Sequence, residues 1–256
     1  MQRWFRELLY ISYKGGETLR NLMKAEWFKL SKSFGFKVLC LCNMASILTT
    51  VLLLIAGAKG TGYKMFMISL TYKLHHAVIG YLFAAVFLCG EFSGRTFGMS
   101  LLCGYPRRKV FLSKILMFHF GSLLLFLIYT GISTIVASIG NGFGQTFSPD
   151  ILILLFCGIL GNAAMGAVMI LIAVIVKKSI VTIGVGIGIT YALLFMESNF
   201  REGVLFFVKY TYSYQLGQLS FWGEGFSLWM FLVVMLLTFV IALVTSILIF
   251  EKVELK

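Results

Sequence analysis

The most ordered chemistry in this chain lies in one short run, EFSGRTFGMSLLCGYPRRKVFLSKIL, from Glu91 to Leu116. An acid is followed by Arg95-Thr96, then by a stretch carrying the apolar residues Phe97, Met99, Leu101 and Leu102. Gly104-Tyr105-Pro106 and the basic group Arg107-Arg108-Lys109 come next, with Lys114 beyond them. The order suggests a short helix, ended by Gly104 and Pro106, between an acid and a basic cluster. Such a run is suited to contact and connection. A routine basic loop is the plainer reading, although charge alone would not ask for this order.

Residues for bond-making chemistry are sparse. Asp150 is the only aspartate, and Glu91 and Glu197 stand at the ends of apolar stretches. An ionisable group near the centre of a bilayer costs about 2.5–3.5 kcal/mol on insertion scales, so a proton-driven carrier or intramembrane enzyme would keep such groups for function. His119 is the one titratable residue well inside an apolar stretch, and a lone histidine usually serves packing. His75-His76 beside Lys73 lack the further ligands a metal would require. HExxH, GxSxG and phosphate-loop patterns are absent. The chain is therefore expected to be no enzyme, to bind no metal and to hold no cofactor of its own.

Those residues are positioned by six apolar stretches at roughly 36–58, 74–90, 112–139, 151–176, 179–196 and 228–250. Each is about the length a helix needs to cross a ~30 Å hydrocarbon layer. The chain is 59% hydrophobic and 12% charged, against about 25% charged in soluble proteins. Of its 22 Lys and Arg residues, 17 fall in one alternate set of inter-span segments and 5 in the other. The positive-inside bias puts both termini in the cytosol. The net charge of +12 then answers to anionic lipid and calls for no nucleic acid. Five cysteines, in or near spans or in a cytosolic loop, are expected as thiols. The first apolar run starts only near residue 36, so no cleavable signal peptide is expected. Six spans and short loops leave little room for a soluble catalytic domain.

The expected organisation is a basic amphipathic segment, 1–35, followed by a membrane domain, 36–256. In the first segment, Met1, Trp4, Phe5, Leu8 and Leu9 form one face, and after Gly15-Gly16 a second run places Leu19, Leu22, Met23, Trp27 and Leu30 together. Ser148-Pro149-Asp150 marks the start of span four. Spans four and five are joined by little more than Lys177-Lys178-Ser179 and are rich in small residues; Gly184 and Gly188 have GxxxG spacing, suited to close packing within the subunit or against a second copy. Residues 200–226 contain nine aromatics, including Tyr210, Tyr212, Tyr214 and Trp222. This predicts an interfacial or re-entrant element on the outer side, a candidate gate.

Glu91, Arg95, Thr96, Gly104, Arg107 and Lys114 resemble the pattern E-x-x-x-[RG]-T…G-x-x-R…K between the second and third spans of ABC-2 type transporter permeases. The amphipathic N-terminus with KAEWFKLSKSFGFKVL, the six spans and the outer aromatic element extend the resemblance along the chain. The stretch before Met23 is longer than in many small members. The resemblance implies an all-α membrane protein with a cytosolic coupling helix that docks on a separate ATP-binding cassette subunit. Two ATPase copies, holding ATP and Mg, would drive two permeases, identical or paralogous. Glu91, Arg95, Thr96, Gly104, Arg107 and Arg108 would form the coupling site. Small members resemble bacterial cytoplasmic-membrane permeases that export, or protect against, antimicrobial and other amphipathic peptides.

The reading is thus a permease subunit for a hydrophobic or amphipathic substrate. Asn43, Thr49, Thr50, Asn162 and Thr190 are candidates for lining its path or for bonding helices together. The rivals are a secondary carrier or channel, an intramembrane enzyme, and a non-transporting immunity or regulatory subunit. Orientation is checked by cysteine labelling of intact cells: Gly142→Cys should react from outside and Gly98→Cys should not, and the reverse pattern would invert the topology.

Overall fold

The protein is described by a computed structural model covering residues 19–55, 60–94, 97, 101–102, 104–145, 148–199, 208–222 and 226–252, with the side chains of 49–51, 53–55 and 221 left out. The expected amphipathic segment at 1–13, Arg95 and Thr96, and parts of the outer aromatic element (200–207, 223–225) lie outside the described residues.

Helix α1, Leu19–Lys32, turns its Leu22, Ala25 and Leu30 inward, together with Glu26. The expected apolar partner Trp27 is instead half exposed, edge-on to Phe120. Ser33 then begins α2, Phe34–Ile55, its Oγ accepting from the Phe36 N–H. Gly62–Thr71 forms α3, where an outer loop was expected. Thr61 caps it, accepting from the Lys64 N–H, and the Gly62 and Tyr63 N–H groups donate to the Gly142 and Phe143 carbonyls.

Lys73–Ala84 is α4, and it continues through a π-helical turn, Ala85–Cys89, into Gly90–Ser93. Such a turn carries an extra residue and leaves backbone groups to be met from elsewhere. Here the Ser179 hydroxyl donates to the Ala85 carbonyl at 3.1 Å. Helix α5, Arg107–Asn141, has 35 residues, or about 52 Å at 1.5 Å per residue. It outreaches a ~30 Å hydrocarbon layer, and its C-terminal end carries α3.

Pro149–Val176 forms α6, with Ser148 at the N-cap and proline at the first turn. The Ser148 hydroxyl donates to Asp150 rather than capping the backbone. Lys177 takes a left-handed conformation, φ 60°, and reverses the chain into α7, Ser179–Asn199. Tyr212–Gln218 is α8, and Leu228–Lys252 is α9.

Among the described residues five helices are long and apolar enough to cross a membrane: Lys73–Ser93, α5, α6, α7 and α9. The expected first span falls on α2, an apolar helix whose described side chains cover mainly Phe34–Leu48.

Helix α6 is central, packing on α4, α5, α7, α8 and α9. Its glycines admit different neighbours: a Cβ at Gly158 would lie 2.6 Å from Leu70, and one at Gly161 2.6 Å from Leu216. In α7 the division is sharper. A Cβ at Gly186 would enter the ring of Tyr81, whereas Gly184 and Gly188 meet nothing within 4 Å and are exposed. The GxxxG pair therefore does not serve packing among the described residues of this subunit. Gly186→Ala should destabilise by about 1–3 kcal/mol through overpacking, whereas Gly184→Ala should be neutral or slightly stabilising. Thermal unfolding in detergent checks the contrast.

Candidate functional site

Four charged residues meet at the end of the bundle where the Lys73–Ser93 helix finishes and α5 begins. Lys114, fully buried with 0% side-chain exposure, forms ion pairs with Glu26 and with Glu91, the latter at 2.5 Å. Lys29 bridges the same two acids, 2.9 Å from Glu26 and 3.0 Å from Glu91. The Lys114 ammonium also lies 5.4 Å from the Phe87 ring centroid and 5.6 Å from that of Phe97. Two acids and two bases balance in charge, which is the condition under which such burial is tolerated. Burial opposes the Lys29 ammonium, but Glu26 and Glu91 outweigh it and raise its pKa above 10.5. That stabilisation is fully present at neutral pH and is lost as pH rises through the raised pKa.

The cluster joins α1, the end of the Lys73–Ser93 helix, α5 and, through Phe97, the loop between those last two. Spacing alone offers Glu91 a local partner at i+4, Arg95, worth about 0.2–0.5 kcal/mol when exposed, and that residue lies outside the described residues. Among the described residues Glu91 pairs with Lys114 and Lys29; a fully buried ammonium such as Lys114 needs acids from other helices. Glu26 and Lys29 were missed by sequence reasoning. The signal was Glu26 standing four residues after Leu22 and four before Leu30, on the buried face of α1.

The rest of the loop is tied to the last helix. Gly104 has φ 87° and its N–H donates to the Leu101 carbonyl, so a side chain there would be strained and the chain turns as expected. Phe97 and Phe111 pack on Phe250, with centroids at 5.1 and 4.3 Å. Arg107 donates to the Glu251 carbonyl at 3.1 Å, and Arg108 forks onto the Glu251 carboxylate. Leu102, 89% exposed, projects from the loop.

Two of the candidate path residues, Asn43 and Asn162, line one small cavity together with His75, His76 and Ser122, while Thr190 lies on α7. Asn43 donates to the Leu125 carbonyl at 2.7 Å and its Oδ1 lies 2.9 Å from His75 Nε2. Asn162 accepts from Ser122 at 3.3 Å, and Thr190 donates to the Gly186 carbonyl. These are contacts between or within helices; the side chains of Thr49 and Thr50 lie outside the description. His75 stacks on Tyr129 at 3.9 Å, and His76 Nε2 lies 2.7 Å from the Ser69 carbonyl. His119 abuts Gly166 and Phe239, with no hydrogen bond to its ring among the described residues. Among the described residues no cluster of three metal-ligating side chains occurs.

At the opposite end Lys73 pairs with Glu197, which also accepts from Ser213 of α8 at 2.6 Å. With Leu216 against Gly161, this holds α8 to the bundle. Tyr212 is buried, Tyr214 half-buried and Tyr210 exposed, while Trp222 packs on Phe226 at 5.1 Å.

A sequence profile described as ABC-2 family transporter protein matches residues 22–195. The match runs from α1 through most of α7, including all four cluster residues. The chain belongs to the ABC-2 transporter family. It is an integral membrane protein and a transporter's membrane subunit, and the family implies association with an ATP-binding cassette partner. No curated protein matches the sequence.

Removing one partner of a buried pair costs about 3–5 kcal/mol, whereas replacing both with apolar groups of similar volume can be near neutral. Lys114→Met alone should therefore lower folded yield and thermal stability strongly, and Glu26→Met combined with Lys114→Met should restore part of the loss. A double-mutant cycle by thermal unfolding measures it.

Proposed function

We propose that this chain is the permease half of a bacterial exporter, with six spans, cytosolic termini and a coupling loop that docks on a separate ATPase. The observation that carries the reading is the double attachment of Glu91. It stands where the inward loop leaves the bundle, and it is bonded both to Lys114 of α5 and to Lys29 of α1. A force on the loop would reach α4, α5 and α1 together. The short Lys177-Lys178 turn offers no comparable connection.

Two permeases and two ATPase copies make the working unit, with ATP and Mg held by the ATPases. The exposed Gly184 and Gly188, beside exposed Val181, Val185 and Ile189, offer the second permease a close-packing surface. The apolar lining available to a substrate favours a hydrophobic or amphipathic one, such as an antimicrobial or toxin-like peptide. The outer element, with Tyr210, Tyr212, Tyr214 and Trp222, serves as a gate held by Lys73 and Glu197.

Leu102→Asp, at an exposed apolar position, should leave membrane insertion and thermal stability intact while reducing ATPase co-purification and substrate-stimulated ATP hydrolysis. Wild-type values in both assays would overturn the coupling assignment and favour a carrier or non-transporting subunit. Gly184→Leu with Gly188→Leu should leave the subunit folded but shift it from dimer to monomer in size-exclusion light scattering. An unchanged dimer would remove these glycines from the interface.

A further inference from the structure

Between α6 and α9 an open groove of about 650 Å³ is lined by Val168, Leu171, Val234, Leu237 and Ala242, with Tyr210 at one end. Both helices are of membrane-spanning length, so the space opens onto lipid. It is concave and almost wholly aliphatic. Along α9 the lining extends from Met230 to Ala242, about 18 Å at 1.5 Å per residue. Half of a ~30 Å hydrocarbon layer is about 15 Å deep. The groove is thus as long as one leaflet, and its volume lies within the ~300–1,000 Å³ usual for a ligand site.

The end at Tyr210 is polar. Tyr210 is 55% exposed, and the preceding residue, Lys209, is exposed as well. The turn bearing them is fixed, because buried Gln215 donates to the Lys209 carbonyl at 2.7 Å. Tyr210 lines the slot and Lys209 is its exposed neighbour in the chain; a phenol with an adjacent cation beside an apolar slot one leaflet deep complements a phosphate ester attached to a hydrocarbon chain. The glycine surface suited to a second copy belongs to α7, and α7 and α9 each pack separately on α6.

We propose that the groove between α6 and α9 binds one acyl chain of a phospholipid, with the lipid phosphate held at Lys209 and Tyr210. The occupied leaflet is the outer one, an assignment that rests on the topology proposed above, whereas binding itself does not depend on that topology. The bound chain fills a gap that would otherwise loosen contact between α6 and α9, and it makes a lipid part of the subunit's lateral wall.

The test is native mass spectrometry of the full chain, released from detergent after titration with phosphatidylglycerol. One lipid per subunit should survive conditions that strip the weaker annular lipids. Thr238→Trp or Val233→Trp, each filling the groove from α9, should abolish that adduct. Leu236→Trp, at an exposed position of the same helix outside the groove lining, should retain it. Lys209→Glu should weaken retention about fivefold or more, the contribution of one interfacial lysine. Absence of a retained lipid in the wild type, or equal retention in both groove-filling variants and Leu236→Trp, would overturn the proposal. So would loss of dimer without loss of lipid in the groove-filling variants, which would assign the groove to a second copy. Loss of ATPase coupling in Leu102→Asp with lipid retained would leave this site standing while the proposed function fell.

Discussion

An ammonium with no exposed surface must find its counter-charges inside the protein, and Lys114 finds them on two other helices. Glu26 comes from α1 and Glu91 from the C-terminal end of the Lys73–Ser93 helix. Lys29 bonds the same two acids and keeps the cluster neutral. Desolvating four charges is costly enough that their attraction repays it only in good geometry. The arrangement therefore constrains position more than it adds net stability. It fixes how α1 lies against α5 and where the inward loop begins. Phe97 and Phe111 then carry the constraint to Phe250 near the end of α9.

The rest of the bundle is organised around α6, which has to accommodate neighbours on several faces at once. Gly158, Gly161 and Gly166 each admit a side chain from a different element: Leu70 of α3, Leu216 of α8 and His119 of α5. Without a hydrophobic driving force between helices in lipid, such close approach is what packing relies on. Helix α7 uses the same device once, at Gly186 against Tyr81, and leaves its other glycines uncovered. A bundle closed at α6 and open at α7 agrees with a subunit that meets a further helix surface there.

Much of this was legible in the sequence because long apolar runs in a chain with few charges admit few interpretations. The runs at 74–90, 112–139, 151–176, 179–196 and 228–250 fall within the five long apolar helices. Helix α3 was missed because Lys64 and Lys73 marked the segment as a connecting loop, although Thr61 gives it a sound N-cap. The glycine spacing in α7 was legible, but its surroundings were not. Gly184 and Gly188 share one face, while Gly186, two residues on and about 200° around the helix, is the one that meets Tyr81. Glu91 was recognised by its place in a motif, yet its partners come from residues 62 and 23 positions away. Local spacing offers only Arg95, which lies outside the described residues, and the folded arrangement of α1 and α5 supplies Lys29 and Lys114. For the same reason only the fold brings Asn43 and Asn162, scattered polar residues in sequence, to one small cavity, each with its own hydrogen-bond partner.

Through its two lysines Glu91 makes α1, the C-terminal end of the Lys73–Ser93 helix and the start of α5 one mechanical unit. Hydrogen–deuterium exchange of the full chain in lipid nanodiscs, comparing wild type with Glu91→Gln, tests it most directly. The account predicts faster exchange together in Leu19–Lys32, Gly90–Ser93 and the first turns of α5, with α3 and α8 unchanged. Faster exchange confined to Gly90–Ser93, with α1 and α5 as protected as in the wild type, would contradict it.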